Sequence, residues 1–152
     1  MLFNIQKLIP HRSPMILLDE VLSANEEGAR CRVKIREESL FFEKGSVPIW
    51  IGMEYMAQCV AVFGGHYSLA ESQNVGIGFL LGTRKYKAHV ESFALGQELI
   101  IEAKLNLRDE MLSNFDCKIF CNSNLLVEAS LTTYKPNSEM LEKLKKGDIL
   151  VV

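Results

Sequence analysis

A carboxylate sits inside an otherwise apolar stretch. Residues 52–65 read GMEYMAQCVAVFGG, and Glu54 is their only charged side chain. Gln58 follows four residues later, one turn of a helix, where its amide can donate a hydrogen bond to the carboxylate. At about 100° per residue, Trp50, Ala57, Gln58, Ala61 and Gly65 fall within about 60° of Glu54, while Gly52, Met56, Cys59 and Phe63 lie opposite. The second set reads as a packing face. The first is small and polar around an acid, leaving room for a ligand or for another backbone. An unpaired buried carboxylate costs several kcal/mol even after relaxation, so Glu54 either reaches solvent at a helix edge or serves as an acid or base.

The other titratable candidates are fewer. His66 lies twelve residues after Glu54, about 18 Å along an unbroken helix, too far to partner it. His89 in KAHVESF reads as a surface residue at a strand end. His11 and Arg12 lie in a proline-bounded loop, IPHRSP, suited to hydrogen bonding with neighbouring loops. The four cysteines (Cys31, Cys59, Cys117, Cys121) form no CxxC pair and no zinc spacing, and read as reduced, mostly buried thiols of a cytoplasmic protein. With no nucleophile elbow, phosphate loop or metal constellation in the sequence, phosphoryl transfer and metal-dependent hydrolysis are disfavoured.

The elements that must hold Glu54 are legible in the pattern. A segment from Pro48 to about Ser72 lacks strand alternation, and its centre is apolar on nearly every side, so it reads as an enclosed helix that Gly64-Gly65 bends or ends. Around it the chain alternates. In ARCRVKIR (29–36), Ala29, Cys31, Val33 and Ile35 share one side and four basic residues the other, as in a half-buried strand. ILLDEVLSA (16–24) reads as the preceding strand, joined through NEEG as a hairpin. After a glycine-interrupted extended segment (75–88) come three more alternating runs. Their inward sets are Leu99 to Leu107, Phe115 to Cys121, and Leu125, Val127, Ala129 and Leu131. Turns are marked at 93–96 and 122–124. SEMLEKLKKG (138–147) is a short amphipathic helix in a peripheral tail, 137–152.

One apolar helix needs something to wrap it, and an antiparallel sheet does so: an α+β hot-dog fold, in which unpaired strand edges favour a dimer. The chain has 152 residues, 48% hydrophobic and 24% charged, with a net charge of −2, which fits one globular domain spanning 1–152. That balance gives no global pull toward nucleic acid. No run approaches the roughly 20 apolar residues of a membrane span, and the N-terminus lacks the apolar run of a signal peptide. Arg30, Arg32, Lys34 and Arg36, with Arg84, Lys85 and Lys87, read as solvated basic faces or as a dock for an acidic partner.

Three blocks in order carry a family resemblance over roughly residues 5–135. LIPHRSPMILLDEV (8–21) resembles the Pro-His-Arg-x-Pro opening of FabZ-type 3-hydroxyacyl-[acyl-carrier-protein] dehydratases. FFEKGSVPIWIGMEYMAQ (41–58) is similar to their central-helix start, which ends in Glu-x-Met-Ala-Gln. FLLGTRKYKAHVESFALGQEL (79–99) resembles their following strand and turn. VPIWIGMEYMAQ and GFLLGTRKY are most similar to the ApeP-like branch, the dehydratases of aryl-polyene gene clusters.

The resemblance implies a site between two subunits. There a histidine takes a proton from C2 of an acyl thioester, a helix carboxylate protonates the departing 3-hydroxyl, and a helix N-terminus polarises the thioester carbonyl. It puts Glu54 in the carboxylate position and implies no cofactor, since elimination of water needs only an acid and a base. Gln58, Trp50, Gly52, His11 and Arg12 form the supporting or substrate-binding set, and the substrate is a 3-hydroxyacyl chain on the phosphopantetheine arm of an acyl carrier protein. The family's histidine lies in a Gly-His-Phe-Pro-Gly loop before the helix, whereas here Glu43-Lys44-Gly45-Ser46-Val47-Pro48 is shorter and has none. Three readings follow. The chain pairs with a histidine-bearing hot-dog subunit in a heterodimer; or a homodimer uses Glu54 for thioester hydrolysis; or the chain is a non-catalytic acyl-binding or scaffolding subunit.

Overall fold

In the computed structural model, which describes residues 3–71, 79–109 and 111–135 together with Glu139 and Glu142, one long helix lies across an antiparallel sheet. In chain order the elements are α1 (Ile5–Leu8), β1 (Glu20–Asn25), β2 (Gly28–Lys34), β3 (Ser46–Pro48), α2 (Gly52–Ala70), β4 (Phe79–Ala88), β5 (Ser92–Ala94), β6 (Glu98–Arg108), β7 (Leu112–Cys121) and β8 (Asn124–Tyr134). Six strands form one sheet in the order β1-β2-β6-β7-β8-β4, and β3 pairs with β5 in a separate ribbon. This is the hot-dog architecture that the alternation predicts.

The sheet's inner face is built from the expected residues. Cys31, Leu99, Ile101, Ile119, Val127 and Leu131 are fully buried, and Met56, Cys59 and Phe63 of α2 pack onto them. The Cys59 thiol lies 3.4 Å from the carbonyl of Ala29 and 3.6 Å from that of Ile101, which places the middle of α2 over β2 and β6. All four cysteines are free and buried. Hydrogen bonding with Cys31 and burial hold the Cys59 thiol well above its ordinary pKa, so it packs as a small neutral group.

Several expectations need correction. The helix runs unbroken to Ala70, past Gly64-Gly65. Its start is later than the predicted Pro48: Pro48 closes β3, and Ile49–Ile51 form a 3-10 turn leading into Gly52. The predicted strand 16–24 begins only at Glu20, because backbone groups of Met15 and Leu17 bond to a side chain of α2 instead. The predicted turn 93–96 begins as strand: Phe93 is fully buried in β5 opposite Val47. Two register shifts alter which side chains face inward. Between β7 and β8 an extra residue, Leu126, turns inward while Leu125 is only partly buried. A shift between Leu105 and Leu107 leaves Leu107 exposed, at 69%. Helix α1, capped by the Asn4 side chain, has no counterpart in the sequence reading. Residues 75–78 of the predicted extended segment lie outside the described residues, as does most of the 138–147 tail. Among the described residues, no helix is long and apolar enough to cross a membrane.

Candidate active site at the start of the central helix

Glu54 stands in the first turn of α2 with its side chain 37% exposed. Its position follows from the chain around it. Lys44 (φ 53°) and Gly45 (φ 85°) form a two-residue turn closed by reciprocal Glu43–Ser46 backbone bonds, and this turn directs β3 toward the helix. The 3-10 turn is then anchored from outside: the Tyr86 hydroxyl of β4 donates to the carbonyl of Ile49 at 2.5 Å. Burial pushes the Tyr86 hydroxyl up to about 12, so it is a protonated donor at neutral pH. Gly52 sits in a crowded spot. A Cβ at this position would stand 2.5 Å from the Tyr86 oxygen, 3.0 Å from Phe93 Cζ and 3.1 Å from Ile119 Cδ1. Gly52 thus acts through packing, as the helical wheel suggests. Trp50, 68% exposed, projects from the same turn into solvent.

Gln58 is the connector. Fully buried, it accepts from the Leu17 N–H at 2.9 Å through Oε1, and through Nε2 donates to the Met15 carbonyl at 2.7 Å and to Glu54 Oε1 at 3.0 Å. One amide therefore ties the N-terminal arm to the helix and fixes one oxygen of the carboxylate. Among the described residues both polar contacts of the carboxylate go to Oε1, and Glu54 Oε2 has no hydrogen-bond partner.

The arm brings a further group. His11 Nε2 lies 3.5 Å from Glu54 Oε1, with the His11 side chain 28% exposed. The sequence pairs Glu54 with Gln58 and suits His11 to contacts with neighbouring loops. What it lacked was the path of the arm, which crosses the helix at Gly65: a Cβ there would stand 1.8 Å from the carbonyl oxygen of Leu8. The small residues on Glu54's side of the helix thus admit another backbone. Among the described residues the Arg12 side chain bonds only within its own loop, donating from Nη1 to the carbonyls of Ile9 (3.1 Å) and His11 (2.7 Å), and so holds the loop's shape rather than a neighbouring one. His66 packs edge-on against Phe3, and His89 is exposed; neither reaches the site. No group of three or more potential metal ligands occurs among the described residues.

The basic residues divide into two sets. On β2 and just beyond it, Arg32 pairs with Glu20 (3.0 Å), Arg36 with Asp19 (3.1 Å) and Lys34 with Glu98 (4.0 Å). Arg84, Lys85 and Lys87 are exposed along β4, an edge of the sheet.

Comparison with known proteins agrees with this architecture. The family model described as "ApeP-like: ApeP dehydratase" matches residues 3–145. Among solved structures, the chain superposes with a TM-score of 0.87 and 30% identity on a chain of the dehydratase heterocomplex ApeI:P from Xenorhabdus doucetiae, covering 95% of this chain and 98% of that one. A hypothetical thioesterase protein with coenzyme A from Streptococcus pneumoniae matches at TM-score 0.63 and 13% identity, covering 78% of this chain and 85% of the other. A mutant of the phenylacetic acid degradation protein PaaI from Thermus thermophilus matches at 0.61 and 12%, covering 77% and 92%. The last two share the fold alone.

Proposed function

The chain belongs to the ApeP-like dehydratase family, and on that premise we propose that it serves the dehydration of a 3-hydroxyacyl chain carried on the phosphopantetheine arm of an acyl carrier protein, with Glu54 as an acid/base group. The observation that carries this reading is the asymmetry of the Glu54 carboxylate. Oε1 is held by Gln58 at 3.0 Å, and Oε2 has no partner among the described residues, at the start of a buried helix.

In the elimination, a base takes the proton from C2 and its electron pair becomes the C2=C3 bond. The C3–O bond breaks, and Glu54 gives its proton to the leaving oxygen, which departs as water. The N–H groups of the first turn of α2, kept in place by the Tyr86–Ile49 bond, offer donors for the thioester carbonyl as charge builds on its oxygen.

The base comes from a second hot-dog subunit, making the working unit a heterodimer. Two observations support this. The Glu43–Ser46 turn that precedes the helix offers only Lys44 and Gly45 at its tip, and the strong structural likeness is to a chain of a heterocomplex. The exposed basic residues of β4 are the better dock for an acidic carrier, because those of β2 are largely neutralised by their own carboxylates. Such a contact weakens as salt rises.

The test is Glu54→Gln in the protein co-purified with its partner from its own cells. The assay follows formation of the conjugated enoyl thioester from a 3-hydroxyoctanoyl-pantetheine thioester. Loss of at least about a hundredfold in kcat is expected for removal of the acid. Full activity of the variant complex would remove Glu54 from the mechanism, and full activity of the pure single chain would remove the partner.

A further inference from the structure

We infer that His11 is a positioning residue for Glu54, acting as an Nε2–H donor to Oε1 so that Oε2 alone exchanges a proton with the substrate. The inference rests on the reading of Glu54 as the acid/base group and adds to it the device that selects one of its two oxygens.

The imidazole's two nitrogens are in different surroundings. Nδ1 is buried and has no hydrogen-bond partner among the described residues. Nε2 faces Glu54 Oε1 at 3.5 Å. A neutral imidazole has one N–H and one lone pair. Placing the proton on Nδ1 would bury an unpaired N–H and turn a lone pair toward a carboxylate oxygen. Placing it on Nε2 aims the N–H at that oxygen and leaves only an acceptor unpaired, the cheaper of the two defects. The tautomer is therefore set by the burial of Nδ1. The distance is loose for a hydrogen bond, as catalytic contacts often are without substrate.

Two donors then converge on one oxygen. Gln58 Nε2 reaches Oε1 along the helix, and His11 Nε2 reaches it from the arm. Both approaches depend on the same scaffold. Gln58 clamps Met15 and Leu17, Arg12 braces the carbonyl of His11, and the Met15 N–H closes the loop onto the Arg12 carbonyl at 2.9 Å. With Gln58 bonded to Oε1 and the His11 N–H facing the same oxygen, rotation to present that oxygen to substrate is disfavoured. The direction of proton delivery is thereby fixed before substrate arrives.

Two measurements decide this. Long-range proton–nitrogen NMR of the labelled chain at neutral pH reads the His11 tautomer directly. Nε2–H is expected, and Nδ1–H would overturn the inference without any variant. In the co-purified complex, assayed with the 3-hydroxyoctanoyl-pantetheine thioester, His11→Leu is expected to lower kcat about tenfold through misorientation with KM little changed. His11→Gln, which restores an N–H donor, should recover most of that loss, with melting temperatures confirming that both variants fold. An unchanged kcat in H11L, or equal losses in H11L and H11Q, would overturn the positioning role. Loss of activity in E54Q with none in H11L would leave Glu54 in place and remove His11 alone. Activity retained in E54Q would remove Glu54's role, and with it the purpose assigned to His11.

Discussion

Gln58 donates to Glu54 and to the Met15 carbonyl from the same nitrogen, so the catalytic candidate and the N-terminal arm share one buried amide. Gln58 is thus as much a tertiary fastener as a partner of the acid.

Replacing Gln58 by Met, which keeps the volume and removes both polar atoms, strands the Met15 carbonyl and the Leu17 N–H. Leaving two partly buried backbone groups unsatisfied costs about 2–4 kcal/mol. Denaturant unfolding would read the loss, and amide exchange should quicken at Leu17. A stability equal to the parent would show that water satisfies both groups.

Gly64 and Gly65 are adjacent on α2 and should respond oppositely to alanine. Nothing lies within 4 Å of a Cβ at Gly64, so Gly64→Ala gains helix propensity, about 0.5–1 kcal/mol. At Gly65 the added carbon meets the Leu8 carbonyl oxygen at 1.8 Å, and neither backbone can yield without separating α1 from α2. Gly65→Ala is expected to destabilise by about 2 kcal/mol or more and to raise exchange across residues 5–17. Equal melting temperatures for the two variants would contradict the path of the arm.

Tyr86 links stability to alkaline pH. Burial raises its hydroxyl from 10.0 to about 12, so the folded state holds this proton more tightly than the unfolded chain. The Tyr86 contribution is therefore complete below pH 10 and is lost as pH climbs toward 12. Tyr86→Phe removes the bond to Ile49 at a cost of about 1 kcal/mol at neutral pH. The gap between parent and variant should stay constant up to pH 10 and then close. A gap that widens through that window would reverse the sign and refute the assignment.

How far the sequence carried depended on the range of the interactions. Strand β2 was legible because Ala29, Cys31, Val33 and Ile35 alternate against charged neighbours, a pattern set by the pleat itself. The enclosed helix was legible because its centre is apolar all round. The start of 16–24 was misread as strand because its apolar run is real but the Leu17 N–H bonds to the side chain of Gln58, far along the chain. Phe93 looked like part of a turn beside Gly96, yet its burial against Val47 makes it strand. Leu107 and Leu125 alternate correctly on paper, and only the register shifts show that the ladder slips beside them. At the site, the Glu54–Gln58 contact is one helical turn and could be anticipated. The approach of His11 depends on where the arm crosses Gly65, and the hint was present in the small residues of that face, which were open to either a ligand or a backbone.

Both margins of the six-stranded sheet are interrupted. β4 shifts register between Leu80 and Gly82 and again between Arg84 and Lys87, with Lys85 in the left-handed region, and β1 shifts between Val21 and Ser23. A continuous, flat margin would invite copy after copy to add in register, the geometry of fibre growth. Margins broken in this way, and carrying cations along β4, permit a short specific pairing and resist endless extension. Irregular edges of this kind disfavour filament growth by strand addition, whatever the chain pairs with.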